Sequence, residues 1–505
     1  MQSPKELMEN LNVAIYYDPY LEYSNEAPYS PQLSFPEYPL KSLSKCQNHV
    51  YESLRKTLFL MGLDKENFGS QIWNPLKEIV EPGNTVVIKP NFVLDRHENG
   101  GDIFSIITHP SIIRAIVDYV YIALKGEGKI IIADAPQMDC NFGRLIKLTN
   151  LDSIVHLYKD ELDFDIEVYD LRDFWLDVTN APKAAYSKYR HELPGDPLGG
   201  SIINLGEKSL LYELKNSKNF YGADYNRDET IKHHHDGIQE YLISNTILSA
   251  DVVISVPKLK VHKKTGITIN VKGLVGINLN KNYLVHYRLG TPSEGGDQYP
   301  DNILSRQEET VLKLQRAGFD ILLSKKTSLT DTLYEFAVGI GRALLKPLGF
   351  ELNKEKAIFD GGNWYGNDSA WRMAIDLLRI FIYSDKRGNL RESPCRRVFS
   401  IVDGIIGGEG NGPLAPDKKK CGLIVAGTNF CAVDWVCARL MGFNDKKLKI
   451  LNYPLLYPEV FHCCKEKIML HTNTERLKGL LDQGNKERYF SFRPHKGWEG
   501  YIDTF

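Results

Sequence analysis

Acidic residues are missing from a long internal stretch of this 505-residue sequence: no Asp or Glu occurs from Val252 to Ser293. The stretch holds six lysines, one arginine and two histidines, whereas the whole chain has a formal charge of −2. The cationic character is therefore local, and the balanced total argues against a nucleic-acid partner. We expect this acid-free stretch (residues 252–293) to bind an anion, although a solvated lysine-rich surface would have the same composition.

Closely spaced cysteine pairs are also lacking, since none of the eight cysteines forms a Cys-x-x-Cys motif. Structural zinc sites and ferredoxin-type clusters need such pairs, so no intrinsic Fe–S cluster is expected. No signal peptide opens the chain and no run of about 18 uncharged apolar residues occurs, which predicts no transmembrane segment. The sequence therefore predicts a cytoplasmic protein whose cysteines are reduced and mostly buried.

Alternating strand and helix patterns predict an α/β fold, a largely parallel sheet with helices on both faces. The run from Thr85 to Lys89, a helix from Ser111 to Lys125 and the run from Lys129 to Asp134 form one βαβ unit. A helix is expected from Ile238 to Leu248. The predicted divisions are an irregular N-terminal extension (1–82), an α/β core in two parts (83–294 and 396–445), a mainly helical insertion (295–395) and a C-terminal tail (446–505).

Polar residues follow the predicted strands at the points where they end, and these ends meet at one edge of a parallel sheet. They are Lys89 and Asn91, Asp134, the group Lys258, Lys260 and His262, and Asp403. We expect them to line one cleft. Asp134 or Asp403 alone would be equally typical of a helix cap or a turn.

Within the acid-free stretch, Lys258 and Lys260 are two residues apart and would project from the same side of a strand, which suits a dianion. His262 shares that side and is a candidate general acid or base, or else a structural histidine. Lys272 lies in a glycine-containing turn that resembles neither a Walker A motif nor a dinucleotide fingerprint. Further candidate substrate-binding residues are His109 and Arg288.

A second glycine-rich segment, Asp403 to Pro413, is predicted to be a loop that wraps a ligand, or a flexible connector. It contains Glu409, a candidate acid–base residue, and Asn411, a candidate substrate contact. Asp134, Asp403 and Asp434 together could hold Mg²⁺ through hard oxygen ligands. The run from His233 to Asp236 invites a second metal hypothesis, but consecutive residues of a regular element cannot all face one ion.

The ordered motifs resemble the family of domains of unknown function numbered 362, over about residues 84–445. They are the segments 87–91, 108–110, 256–262, 271–274, 402–405, 409–413, 432–434 and 439–442. Residues 362–368, with Trp371 and Arg372, are similar to a branch found among bacterial surface-polysaccharide gene clusters. Many relatives carry an added ferredoxin-like module with cysteine clusters, and this chain departs from that pattern.

Three functional hypotheses follow. The favoured one is an enzyme with transferase- or lyase-type chemistry on a phosphorylated or carboxylated small molecule, such as an activated sugar in surface-polysaccharide assembly. Lysines would hold the anion and offset charge that develops in the transition state. The alternatives are a redox component that works with a separate Fe–S partner, and a non-catalytic anion-binding scaffold.

Overall fold

The structure of the protein is a computed structural model. It describes residues 1–177, 190–214, 217–222, 227–325, 332–333, 336, 354–482 and 484–504. Most of residues 326–353, at the centre of the predicted helical insertion, lie outside the described residues. The limits of that insertion therefore stay a prediction.

The strands of the described residues lie between residues 12 and 472. They are β1 (Asn12–Tyr17), β2 (Thr85–Pro90), β3 (Lys129–Asp134), β4 (Ile166–Asp170), β5 (Phe174–Leu176), β6 (Arg190–Glu192), β7 (Gly200–Asn204), β8 (Phe220–Tyr221), β9 (His234–His235), β10 (Ile238–Ser244), β11 (Val252–Val256), β12 (Lys258–His262), β13 (Gly266–Thr268), β14 (Tyr287–Arg288), β15 (Arg397–Glu409), β16 (Asp417–Gly427) and β17 (Met469–Thr472).

The helices lie between these strands, singly or in succession. They are α1 (Pro4–Glu9), α2 (His49–Leu60), α3 (Pro110–Leu124), α4 (Phe142–Thr149), α5 (Leu151–Leu162), α6 (Arg227–His233), α7 (Asn245–Ser249), α8 (Asn270–Gly273), α9 (Arg306–Lys325), α10 (Lys354–Ala357), α11 (Ala370–Tyr383), α12 (Phe430–Met441), α13 (Lys449–Leu456) and α14 (Pro458–Phe461). Over the described ranges, no helix combines the length and the apolar character that crossing a bilayer requires.

One large mixed sheet organises the fold, with the strand order β17-β1-β16-β15-β11-β2-β3-β4 and with β12 and β13 attached beside β15. The neighbours β15, β11, β2, β3 and β4 are all parallel, so their carboxyl ends lie at one edge. The predicted βαβ unit is present as β2, α3 and β3. These observations confirm the predicted α/β fold.

Both faces of the sheet are covered, because alternate residues of a strand enter different cores. In β2, Val87 belongs to one apolar cluster, whereas Val86 and Ile88 belong to the other. In β11, Val253 and Ile254 divide in the same way. Fully burying such a side chain contributes about 1.5–3 kcal/mol, so the two clusters hold the sheet between helical layers.

The terminal segments of the chain are part of this sheet. Strand β1 pairs antiparallel with β16 and parallel with β17, so it is enclosed on both sides. The N-terminal region that we expected to be irregular therefore contributes α1, β1 and α2. Most of its remainder is irregular, as expected.

Two sequence predictions about secondary structure are wrong. Strand β10 occupies most of the helix predicted from Ile238 to Leu248, because it pairs with β7 and leaves only α7 helical. The predicted ligand-wrapping loop after Asp403 is mainly the continuation of β15 to Glu409. Its glycines permit close packing instead: a Cβ on Gly408 would lie 2.5 Å from the carbonyl oxygen of Ser105.

Candidate functional site

A cleft of about 430 Å³ opens at the carboxyl ends of the parallel strands. Its lining is rich in cations, with fewer acids. The basic residues are Lys89, Lys260, Lys263, Lys264, Lys272, Lys281, Arg316, His262 and His286, and the acidic ones are Glu98, Asp134 and Asp360. Five of the lysines and both histidines come from the acid-free stretch, which thus forms most of this cationic cleft.

The end of β2 and the end of β3 meet in one ion pair. Lys89 Nζ lies 3.0 Å from Asp134 Oδ1, and both side chains are buried. Asp134 Oδ2 also accepts a hydrogen bond from the backbone N–H of Phe92. Gly276 passes directly over this pair, since a Cβ there would lie 2.0 Å from Asp134 Oδ1. The absence of a side chain at Gly276 lets the turn after α8 close against the sheet.

Lys260 is buried and forms no ion pair with a carboxylate in the described part of the chain. Its Nζ donates to the carbonyl oxygens of Ile106, at 2.6 Å, and Pro413, at 3.4 Å. Desolvation, together with the charges of Lys258 and Lys272, lowers the pKa of Lys260 well below its ordinary value. The ammonium form is therefore costly until an anion approaches.

Lys272 and Lys281 are two further buried lysines of the cleft. Desolvation lowers the pKa of each to about 7. Lys281 Nζ donates to the carbonyl oxygens of Ala135, Val275 and Asn278 at 2.8–2.9 Å. Lys272, by contrast, makes no hydrogen bond or ion pair with the residues that the structure describes.

The two histidines of the cleft are held by backbone groups in opposite tautomers. His262 Nδ1 accepts the backbone N–H of Lys264, which leaves the proton of the neutral ring on Nε2. His286 Nδ1 must instead donate to the carbonyl oxygen of Leu284, which leaves Nε2 as an acceptor. Burial and the nearby charges of Lys272 and Lys264 lower the pKa of both rings well below 6.5.

One neutral donor in the cleft lining also has no partner. The hydroxyl of Thr268 is buried and makes no hydrogen bond to any described residue. Thr268 faces Lys260 across the β12–β13 pair. A buried hydroxyl without a partner costs free energy, so this position is suited to a ligand oxygen.

Several predicted site residues do not line the cleft, and Lys258 with Asp403 is the clearest correction. Both are fully buried behind it, with Lys258 Nζ 3.0 Å from Asp403 Oδ2. Tyr23 bridges them: its hydroxyl donates to Asp403 and accepts from Lys258. The ladder between β12 and β15 is irregular between Lys258 and Lys260, which is why the two lysines reach different places.

His109 belongs to the same buried cluster and has a structural role. Its ring caps α3 by accepting the N–H of Ser111, and it stacks on Tyr23 with 4.0 Å between the ring centroids. Its backbone N–H donates to Asp403. These bonds take His109 away from the predicted substrate contact.

Three further candidates also lie outside the cleft. Glu409 accepts hydrogen bonds from Lys419 and Arg493; although burial raises its pKa, these bonds leave the pKa below its ordinary value. This geometry suits a structural ion pair better than a proton carrier. Asn411 is exposed on the surface, and Arg288 pairs with the buried carboxylate of Asp297.

The proposed Mg²⁺ ligands are not brought together. Asp134 pairs with Lys89, Asp403 pairs with Lys258, and Asp434 accepts the backbone N–H groups of α8. Within the described ranges, no three His, Cys, Asp or Glu side chains cluster as metal ligands.

The histidine run is likewise structural. His233 stacks on Tyr283 and bonds Glu240, whereas His234 is buried between Gln239 and the carbonyl oxygen of Tyr283. Both rings therefore have protein partners at their ring nitrogens.

The cleft thus combines five predicted substrate or catalytic residues with several that we had not selected. Lys89, Asn91, Lys260, His262 and Lys272 line it, as does the predicted metal ligand Asp134. Sequence reasoning did not select Lys281, His286, Thr268, Asp360 or Asn363 as site residues. The first three, Lys281, His286 and Thr268, lie within the acid-free stretch, and this position in the sequence could have identified them as candidates.

The fold and the cleft together define an α/β protein with a buried cationic cleft at the carboxyl ends of its parallel strands. Residues 201–439 match the family model described as "Domain of unknown function (DUF362)". This match supports the family resemblance that the motifs predicted. The matched segment contains most of the cationic residues, whereas Lys89 and Asp134 lie before it.

The other comparisons add little. No curated protein matches the chain. A crystal structure of a Thermotoga maritima protein, described as a Northeast Structural Genomics Consortium target, is similar at 8% identity and a TM-score of 0.27. The alignment covers 76% of this chain and 58% of that chain, so this chain spans less than two thirds of the other protein. A likeness this weak supports no inference about fold or function.

Proposed function

We propose that the cleft binds a phosphorylated or carboxylated small molecule and that the protein is an enzyme acting on it in the cytoplasm. The observation that carries this proposal is the set Lys260, Lys272 and Lys281. Each is buried, and none has a carboxylate within ion-pairing distance among the described residues. A volume of about 430 Å³ lies within the range of small-molecule sites, roughly 300–1,000 Å³.

The energetics favour an anion over a neutral ligand. A buried ammonium without a counter-charge is destabilising, and the protein lowers that cost by releasing protons, as the lowered pKa values indicate. A bound dianion would favour the protonated amines again and would satisfy their N–H groups. The same cations would then offset negative charge that develops during a reaction.

An activated sugar in bacterial surface-polysaccharide assembly is the substrate that we propose in particular, with group transfer or elimination as the chemistry. The segment that resembles the polysaccharide-cluster branch borders the cleft through Gly361 and Asn363. Lys264 Nζ donates to the carbonyl oxygen of Gly361, which ties this segment to the acid-free stretch. Asp360 and Asn363 provide polar groups of the kind that bind sugar hydroxyls.

Calorimetric titration with inorganic phosphate, sugar phosphates and nucleotide sugars tests the proposal. Lys260→Met should bind these ligands more weakly than the wild type by roughly 2–5 kcal/mol, because the variant removes one desolvated charge from the anion contact. Lys147→Met, on the exposed surface of α4, is the control and should bind like the wild type. Equal affinities for all three proteins, or no binding to folded wild type, would contradict the anion site.

A further inference from the structure

Lys272 differs from its neighbours in the cleft in what surrounds its amine. Lys89 is paired with Asp134, and Lys260 and Lys264 donate to backbone carbonyl oxygens. The Lys272 side chain is only 6% exposed and lines the cleft, yet no described residue accepts a hydrogen bond from it. Lys272 therefore lines the space that a ligand would occupy with an amine that has no hydrogen-bond partner among the described residues.

Lys281 provides an internal comparison. Desolvation lowers the pKa of both Lys272 and Lys281 to about 7, so each amine is partly neutral near pH 7. The nitrogen of Lys281 is surrounded by three carbonyl oxygens, which hold its hydrogens and leave no approach for a carbon atom. Burial thus makes both ammonium groups acidic enough to lose a proton near pH 7, but of these two amines geometry leaves only that of Lys272 accessible as a nucleophile.

We propose that Lys272 forms an imine with the carbonyl carbon of an aldehyde or ketone that also carries a phosphate or carboxylate group. This inference rests on the proposed function, since the anionic group would be held by Lys260 and the buried hydroxyl of Thr268. It adds a reaction type, covalent amine catalysis, and narrows the substrate class to anionic carbonyl compounds.

His262 and His286 line the same cleft as Lys272, and we assign to them the proton transfers that this step requires. The amine nitrogen bonds to the carbonyl carbon, and the carbonyl π electrons move to the oxygen, which His262 Nε2–H stabilises by donation. His286 Nε2 accepts each of the two amine protons in turn and returns it to that oxygen. The oxygen leaves as water and the C=N bond remains, so atoms and electrons balance without another reactant.

Borohydride trapping tests the proposal on the wild-type protein. Pyruvate and dihydroxyacetone phosphate are the probes, and each adduct is reduced and located by peptide mass spectrometry. We expect near-stoichiometric modification of Lys272, with Lys281 unmodified and the exposed Lys147 at background level. Inorganic phosphate should reduce labelling of Lys272, and Lys272→Arg should lose the adduct, since a guanidinium keeps the positive charge but has no neutral amine that can form an imine.

The outcomes separate this inference from the anion site. Phosphate binding without enrichment of the Lys272 adduct would overturn the imine proposal and leave the anion site standing. Equal labelling of Lys281 and Lys272 would also overturn it, because the reactivity would then follow burial and not access. If folded wild-type protein binds neither phosphate nor the probes, the proposed function fails and the imine proposal fails with it.

Discussion

At the level of single side chains, Lys258 and Lys260 are two residues apart but differ in what balances their charge. Lys258 is paired with the buried Asp403, whereas Lys260 contacts only carbonyl oxygens among the described residues. Removing one partner of a buried ion pair leaves the other charge uncompensated. We therefore predict that Lys258→Met lowers the free energy of unfolding by roughly 3–5 kcal/mol.

Urea denaturation of the wild type, Lys258→Met and Lys260→Met measures this difference. Lys260→Met should lose much less stability than Lys258→Met, since removing its ammonium also removes a desolvation cost. The assignment of Lys258 to the structural cluster would be wrong if the two variants were equally stable.

The lowered pKa values of Lys272 and Lys281 predict a pH dependence of anion binding. Each amine is protonated below about pH 7 and neutral above it, and a dianion prefers the protonated form. Sulfate is the suitable probe because its own charge is constant over this range. Above pH 8, sulfate affinity should fall by about tenfold per pH unit for each of the two amines that takes up a proton on binding, and calorimetry in two buffers measures that proton uptake.

The free energy of unfolding provides the control for this experiment, because the effect of Lys272 on it changes with pH in the opposite direction to sulfate affinity. The folded pKa of Lys272 lies below the unfolded value of about 10.4, so the unfolded chain binds more protons between about pH 7 and 10. The contribution of this lysine to the free energy of unfolding therefore rises with pH over that window. Lys272→Arg keeps its charge over this pH range, so the variant should show a smaller decrease of sulfate affinity per pH unit than the wild type. An unchanged decrease would exclude Lys272 as a titrating group.

The sequence correctly predicted that a side chain lies in the cleft where its position at a strand end decides this. The prediction failed where a partner far away in the sequence decides whether the side chain is paired and buried. Lys89, Asp134 and Lys260 follow apolar strands, and the parallel sheet brings them together. Nothing near Lys258 indicates that Asp403 neutralises it, because that pair depends on the register between β12 and β15.

At the level of secondary-structure elements, α8 positions Lys272 and is held by a single carboxylate. Asp434 on α12 accepts the backbone N–H groups of Asn270 and Val271 and the side-chain amide of Asn270, each at 2.9 Å. Desolvation raises the pKa of Asp434 to about 7, although these hydrogen bonds lower it. The helix start is therefore tied to a neighbouring helix and not to a local cap.

We predict that Asp434→Ala weakens sulfate binding as well as the fold. Unpaired N–H groups at α8 should cost about 1–3 kcal/mol each, and the released turn should misplace Lys272. Asp196→Ala is the matched control, because Asp196 accepts the N–H and hydroxyl of Thr246 away from the cleft. Calorimetry and thermal unfolding should show lost stability in both variants and lost affinity only in Asp434→Ala; normal affinity in Asp434→Ala would contradict this role.

Elements with local signals were predicted well. Helix α12 begins after Asn429, whose side chain caps it, and ends at Gly442 in a left-handed conformation. Strand β10 was mistaken for a helix because its apolar residues Tyr241, Leu242 and Ile243 fit either period in so short a segment. Pairing with β7, which decides the outcome, is a long-range contact that the local pattern does not contain.

For the molecule as a whole, the sheet and the cleft are assembled from segments far apart in the chain. Strand β11 lies between β2 and β15, and β16 lies between β15 and β1. The family match covers residues 201–439, which include β11, β15 and β16 but not β1 or β2. The matched segment is therefore part of a folding unit whose remaining strands come from both ends of the chain.

We predict that a fragment of residues 201–439 does not fold by itself. Without β2 and β1, two strands of the sheet lose their neighbours, and exposed apolar strand edges favour aggregation. The fragment also lacks Lys89 and Asp134, so the cleft would be incomplete. Circular dichroism, size-exclusion chromatography and sulfate titration should show a chain that aggregates or unfolds without cooperativity and that does not bind sulfate.

The full-length protein is the reference, and co-expression with residues 1–200 should restore at least part of the solubility because it returns β1 to β4. A soluble fragment that unfolds cooperatively and binds sulfate would show that the first 200 residues are needed neither for the sheet nor for the anion site.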